Sequence, residues 1–145
     1  MDTINNINGQ LVKSFNNAEI YFSNDDNAVL IVKSTQNYIP ENQFREIFNY
    51  ITDTVLLQNK VKKLVFDKRS LSVFNQPSME WYYTQWKEKA SSLGLKTHRK
   101  ILPDDDLFNK SVKIGRESIM SKYPEGHFKQ LDIQYRDSLE EAIGS

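Results

Sequence analysis

From Ala28 onward the chain alternates, three times over, between a short apolar run and an amphipathic stretch long enough for a helix. The extended runs are Ala28–Val32 (AVLIV), residues 61–67 (VKKLVFD), residues 95–102 (LKTHRKIL) and Leu131–Tyr135 (LDIQY). Between the first two, Phe44, Ile47, Phe48, Ile51 and Val55 recur on one face of a helix. Between the next two, Met79, Tyr82, Tyr83, Trp86, Ala90 and Leu93 do the same, and before the last strand Phe108, Val112, Gly115 and Ile119 share a face. Strands separated by helices need crossovers, crossovers are right-handed, and the product is a mainly parallel sheet.

Turn and cap residues punctuate the pattern where they should. Ala18–Phe22 (AEIYF) precedes SNDDN and then AVLIV, which reads as an antiparallel hairpin. Pro40 and Pro77 open helices where a missing N–H does no harm, with Asn75 or Gln76 near the second cap. Gly94 stops the second helix, the acidic run Asp104–Asp106 introduces the third, and Asp137 with Glu140 forms a capping box before a short last helix. The expected fold is α/β: β-β-α-β-α-β-α-β-α, a five-stranded mainly parallel sheet with the first strand antiparallel. Polar alternation in the two late strands implies one sheet face less covered than the other. Residues 1–10, rich in Asn, read as a flexible N-terminal arm, and 11–145 as one domain, with only a weak extended pattern at Leu11–Phe15.

Composition removes whole classes of function. There are no cysteines, which excludes thiol catalysis, thiolate metal sites and disulfides. Nineteen basic and 19 acidic side chains balance, so the chain has no net attraction to nucleic acid. No apolar run approaches the roughly 20 residues of a membrane span, and MDTINNINGQ lacks the basic and apolar regions of a signal peptide. A cytoplasmic location is expected.

Three segments, KKLVFD before a loop and helix, KILPDDDLFNKSVKIGRE, and QLDIQYRDSLEEAI, make the chain resemble the STAS domain, in the SpoIIAA-like branch of standalone bacterial proteins. The resemblance spans roughly residues 18 to 143. It implies a five-stranded sheet and a regulatory role like that of the anti-sigma-factor antagonists. Antagonists carry a phosphorylated serine in an Asp-Ser-Ser-Gly motif at the start of the helix after the third strand. Here that stretch is Val73-Phe74-Asn75-Gln76-Pro77-Ser78-Met79, the motif is missing, and Ser78 is the nearest candidate for modification.

Other constellations have plain readings. Asp104, Asp105 and Asp106 suit the positive end of a helix dipole, and no EF-hand spacing follows them. Asp67 ends a strand as a phosphoacceptor aspartate would, but the accompanying acidic pair and lysine of a receiver are not in place; a carboxylate bonded to the following loop is the simpler reading. His98 and His127 have no metal-pair spacing. Lys60, Lys62, Lys63 and Lys96, Arg99, Lys100 fall on neighbouring strands and suggest a small positive strip. With no nucleophile elbow and no glycine-rich loop, no catalytic residue, cofactor or metal is expected.

Trp81 points about 160° from the centre of the apolar stripe at a helical 100° per residue, which predicts an exposed aromatic beside the loop. The expected function is therefore a non-enzymatic protein–protein interaction module. Phe74 and Trp81 would form its contact, Lys68, Arg69, Gln76 and Ser78 its surroundings, and a regulatory protein or a second copy its partner. The alternative is a binder of a small apolar, lipid-like ligand in a pocket lined by Phe44, Phe48, Tyr82, Trp86 and Phe108.

Overall fold

Six strands lie side by side in chain order, so every neighbour in the sequence of strands is a neighbour in space. The computed structural model describes residues 9–23 and 26–145. The strands are β1 (Gln10–Ser14), β2 (Ala18–Ser23), β3 (Asp26–Ser34), β4 (Lys63–Asp67), β5 (Thr97–Ile101) and β6 (Asp132–Tyr135). β1–β2 and β2–β3 pair antiparallel; β3 through β6 are parallel. The sheet thus has six strands, one more than expected. The weak pattern at Leu11–Phe15 is an edge strand, largely exposed, and propensity alone understated it because its backbone pairing with β2 does the holding. Asn24 and Asp25 of the expected hairpin turn, and residues 1–8 of the expected arm, lie outside the described residues.

Three helices connect the parallel strands. α1 runs through Glu41–Tyr50, a π turn at Ile51–Val55 and a last turn at Leu56–Gln58. α2 comprises Gln76–Trp81, a π turn at Tyr82–Trp86, and Lys87–Ser92. α3 is Asp106–Lys122 and the terminal α4 is Leu139–Gly144. Because β3 to β6 advance in one direction across the sheet, right-handed crossovers place α1, α2 and α3 on the same face. Their apolar stripes meet Ile20, Leu30, Val32, Leu64 and Phe66 in one large core. The opposite face, with Ile31, Val65 and Ile101, is covered by Leu139 and Ala142 of α4. One face is therefore less covered by helix, as the alternation in the late strands implied.

The caps follow simple rules. Asn75 accepts from Ser78 N at 2.9 Å, and Asp105 accepts from Phe108 N at 3.0 Å, so the acidic run caps α3. Gly94, at φ +101, supplies the left-handed residue that ends α2. The last cap is displaced by one residue from the expected box: Ser138 Oγ accepts from Glu141 N at 3.1 Å. Both Asp137-x-x-Glu140 and Ser138-x-x-Glu141 fit the pattern; the second register is the one in which Leu139 and Ala142 turn onto the sheet.

Candidate functional site

The carboxyl ends of β4 and β5 carry the side chains that the sequence singled out, and the structure turns several of them inward. Asp67 ends β4 facing the α4 side. Its carboxylate accepts from Arg69 N at 3.1 Å, Nε at 2.9 Å and Nη2 at 2.7 Å, the loop-bonded arrangement expected of it. Lys68 follows and points to the helix face. It is 1% exposed, and its ammonium lies 5.0 Å from the Phe66 ring centre and 4.7 Å from that of Phe74. Ser78 is fully buried and its hydroxyl has no partner.

Trp81 is 8% exposed. It does not project from the protein: Phe44 meets it edge-on at 6.2 Å and the Arg45 guanidinium covers its ring at 5.1 Å. The helical-wheel angle was sound, but α2 has a helix on either side of it, so its flanks are buried as well as its base. The expected contact surface of Lys68, Arg69, Phe74, Gln76, Ser78 and Trp81 is thus corrected. Lys68, Ser78 and Trp81 are interior, Phe74 is half-buried, and Arg69 and Gln76 remain outside. The burial of Ser78 also removes the exposure a modifying enzyme would need.

What is left on the surface here is a pair of loops held together. Ser70 Oγ donates to Gln36 O at 2.7 Å, Ser72 N donates to Asn37 O at 2.9 Å, and Asn75 Nδ2 donates to Tyr38 OH at 3.1 Å. Leu71 is buried beneath. The loops after β3 and β4 so form one platform, with Val73 54% and Tyr38 36% exposed at its top.

Under the platform lies a polar stratum that the sequence did not announce. On β5, His98 and Lys100 face the helices, while Arg99 and Ile101 face α4. On α2 the π turn, closed by Lys87 N donating to Tyr82 O, adds a residue to the turn and brings Tyr82, Tyr83 and Trp86 all inward. Lys100 Nζ donates to Tyr83 OH at 2.5 Å and Lys87 Nζ meets His98 Nδ1 at 3.2 Å. The Tyr82 ring has Lys87 4.3 Å and Lys100 5.5 Å from its centre. Tyr82 OH and His98 Nε2 have no partner.

The charges that shift these lysines most are of their own sign. Burial lowers Lys68 well below the usual lysine range, and Lys100 and Arg116 lower it further. Burial does the same to Lys87, with Lys100 and Lys68 adding to it. Lys100 is pushed down to about 7, by burial first and Arg116 second. His98 is held well below its usual value by burial and by Lys87, Lys100 and Arg99, while burial pushes Tyr83 up to about 12.

The remaining expectations find simpler places. The positive strip does not exist as such. Lys60 and Lys62 are exposed, Lys63 Nζ donates to Ile143 O at 2.7 Å, and Arg99 and Lys100 are buried on opposite faces. Phe44, Phe48, Tyr82, Trp86 and Phe108, the expected lining of an apolar pocket, are core residues; the first four pack ring to ring, with Phe44 and Phe48 stacked at 4.5 Å and Tyr82 and Trp86 at 5.3 Å. His127 Nε2 lies 3.0 Å from Ser91 Oγ. No helix among the described residues is long and apolar enough to cross a membrane, and no group of three or more His, Asp or Glu there could hold a metal. No protein-family model, curated protein or solved structure matches the chain.

Sequence reasoning missed Lys87, Tyr83, His98 and Arg116 as members of one cluster. A signal was present: a strand lying between two others and under an amphipathic helix buries its helix-facing positions whatever they are, and in THRKI those positions are His98 and Lys100.

Proposed function

We propose that this chain is a non-enzymatic binding module that docks a regulatory protein on the platform made by the loops after β3 and β4. The observation that carries the reading is the cross-pinning of the two loops by Ser70, Ser72 and Asn75, which holds Val73 and Tyr38 out in fixed positions. A surface ordered before binding pays less entropy on association, and exposed apolar residues beside exposed polar ones, Asn37 and Ser72, have the anatomy of a small interface. The element order from β2 to α4 is the one the STAS resemblance implies, and a regulatory role is proposed with it.

The experiment is co-purification from the native cells with quantitative comparison of variants. Val73→Asp should deplete a specific partner by about tenfold or more, the effect of losing one well-buried contact. Leu107→Asp, at an exposed apolar residue on α3, should leave that partner bound. Equal recovery of every associated protein with Val73→Asp would defeat the platform as the docking face.

A further inference from the structure

Lys87 of α2 and Lys100 of β5 lie over the same Tyr82 and Tyr83 rings, Lys68 just after β4 lies over Phe66 and Phe74, and all three are 1% exposed or less. Arg116 of α3 adds a fourth cation at the rim, half-buried, its guanidinium bonded to Tyr135 OH and 5.3 Å from that ring's centre. The hydrogen bonds of Lys87 and Lys100 go to an imidazole and a phenol, and the Lys68 ammonium lies against the Phe66 and Phe74 rings. The nearby strand carboxylates are engaged elsewhere, Asp67 of β4 with Arg69 and Asp132 of the adjacent β6 with Arg99. Buried cations are ordinarily paired, because desolvating an unpaired charge costs several kcal/mol. Two hydroxyls in the same layer, Ser78 Oγ and Tyr82 OH, are fully buried without a partner, although buried polar groups nearly always have one.

We propose that this cluster is the binding site of a small, doubly charged oxyanion of the phosphate type. Such a ligand supplies the missing negative charge and accepts from several donors at once. Lys68, Lys87 and Lys100 are its charge partners, and Ser78 and Tyr82 complete its hydrogen bonds. Arg116 and Phe74, both half-buried at the rim, swing outward to admit it. At Gly115 α3 packs tightly on α2: a β-carbon there would lie 2.4 Å from Gln76 Oε1 and 3.4 Å from Met79 Sδ, both ends of flexible side chains. Occupancy restores the charged lysines, so binding takes up protons, and the facing groups are Lys68 from β4, His98 and Lys100 from β5, Lys87, Tyr82 and Tyr83 from α2, and Arg116 from α3.

The probes are inorganic phosphate and a simple phosphomonoester, glycerol phosphate, titrated against the whole chain at constant ionic strength by calorimetry and thermal unfolding. Saturable binding is expected, tighter near pH 7 than near pH 9, with proton uptake visible as a dependence of the heat on the buffer's ionisation enthalpy. Preference for phosphate identifies the free ion as the ligand, and preference for the ester identifies a phosphorylated metabolite. Lys68→Met and Lys100→Met should each weaken binding about tenfold or more, the usual loss of a charge-assisted hydrogen bond. Lys110→Met, at an exposed residue, should bind as the parent does. Absence of saturable binding of either probe to the parent chain overturns the proposal, whatever the variants do, as does equal binding by Lys68→Met and Lys100→Met.

Discussion

Arg99 and Lys100 are consecutive on β5, 3% and 1% exposed, yet the two sides of the sheet treat their charges in opposite ways. On the α4 side both terminal nitrogens of Arg99 find acceptors, and only its Nε lacks one. It donates to Asp132 Oδ2 at 2.9 Å, Asp132 O at 3.2 Å, His98 O at 3.0 Å and Ser145 O at 3.1 Å. Lys63 likewise donates to Ile143 O, so two cations sit at the carboxyl end of α4, where a helix dipole favours them. On the helix side Lys100 has one phenol and a set of other cations. Burying a guanidinium among carbonyls and a carboxylate stabilises a fold. Burying three lysines without a carboxylate does not, and points to a role beyond stability.

The sharpest way to break this contrast is to remove each charge. Arg99→Met strands three backbone carbonyls and should cost about 2–4 kcal/mol in urea unfolding. A loss under about 0.5 kcal/mol would mean that the α4 side is no better satisfied than the other.

Acidity tests the helix side. Lys100 has an ordinary value of 10.5 when exposed and about 7 here. Between those values the unfolded chain holds a proton that the folded chain lacks, so unfolding takes one up and stability rises with pH. Lys68, Lys87 and His98 are lowered too and act in the same direction. Tyr82 and Tyr83 are raised, so above about pH 10 the unfolded chain loses protons first and stability falls again. In buffer without phosphate the melting temperature should climb by several degrees from about pH 7 to about pH 9.5, at roughly 2–4 °C per kcal/mol for a chain this long. A flat or falling profile would remove the uncompensated cluster.

Lys100→Met should go the other way from Arg99→Met. Replacing an unpaired buried cation by a similar apolar volume should gain about 1 kcal/mol near pH 7 and flatten the pH profile. A loss of that size would show that the Tyr83 hydroxyl is partner enough. The smallest effect is expected at Asp132→Asn, about 0.5 kcal/mol, since that carboxylate is 46% exposed and water can replace it. A cost above about 2 kcal/mol there would make the ion pair, not the carbonyls, the anchor of Arg99.

Much of the frame was legible in the residues. The stripes of Phe44–Val55 and Phe108–Ile119 lie on the core as their spacing requires, and Asn75, Asp105 and Gly94 cap where their chemistry suits. Trp81 was misplaced because a helical wheel knows nothing of neighbouring helices. Lys100 was read into a surface strip and Lys68 into a contact surface because a lysine is usually at the surface. Nothing local distinguishes Lys62, which is exposed, from Lys100, which is not.

Periodicity and punctuation by themselves determined the elements from β2 onward, their order and the mainly parallel pairing, because those depend on residues a few positions apart, while the edge strand β1 needed its pairing with β2. Tertiary structure alone decided which charges are interior, since that depends on what the right-handed crossovers lay over β4 and β5. It also decided that Lys87 and Lys100 meet around two tyrosines, and that Lys68, 32 residues before Lys100, is buried between Phe66 and Phe74.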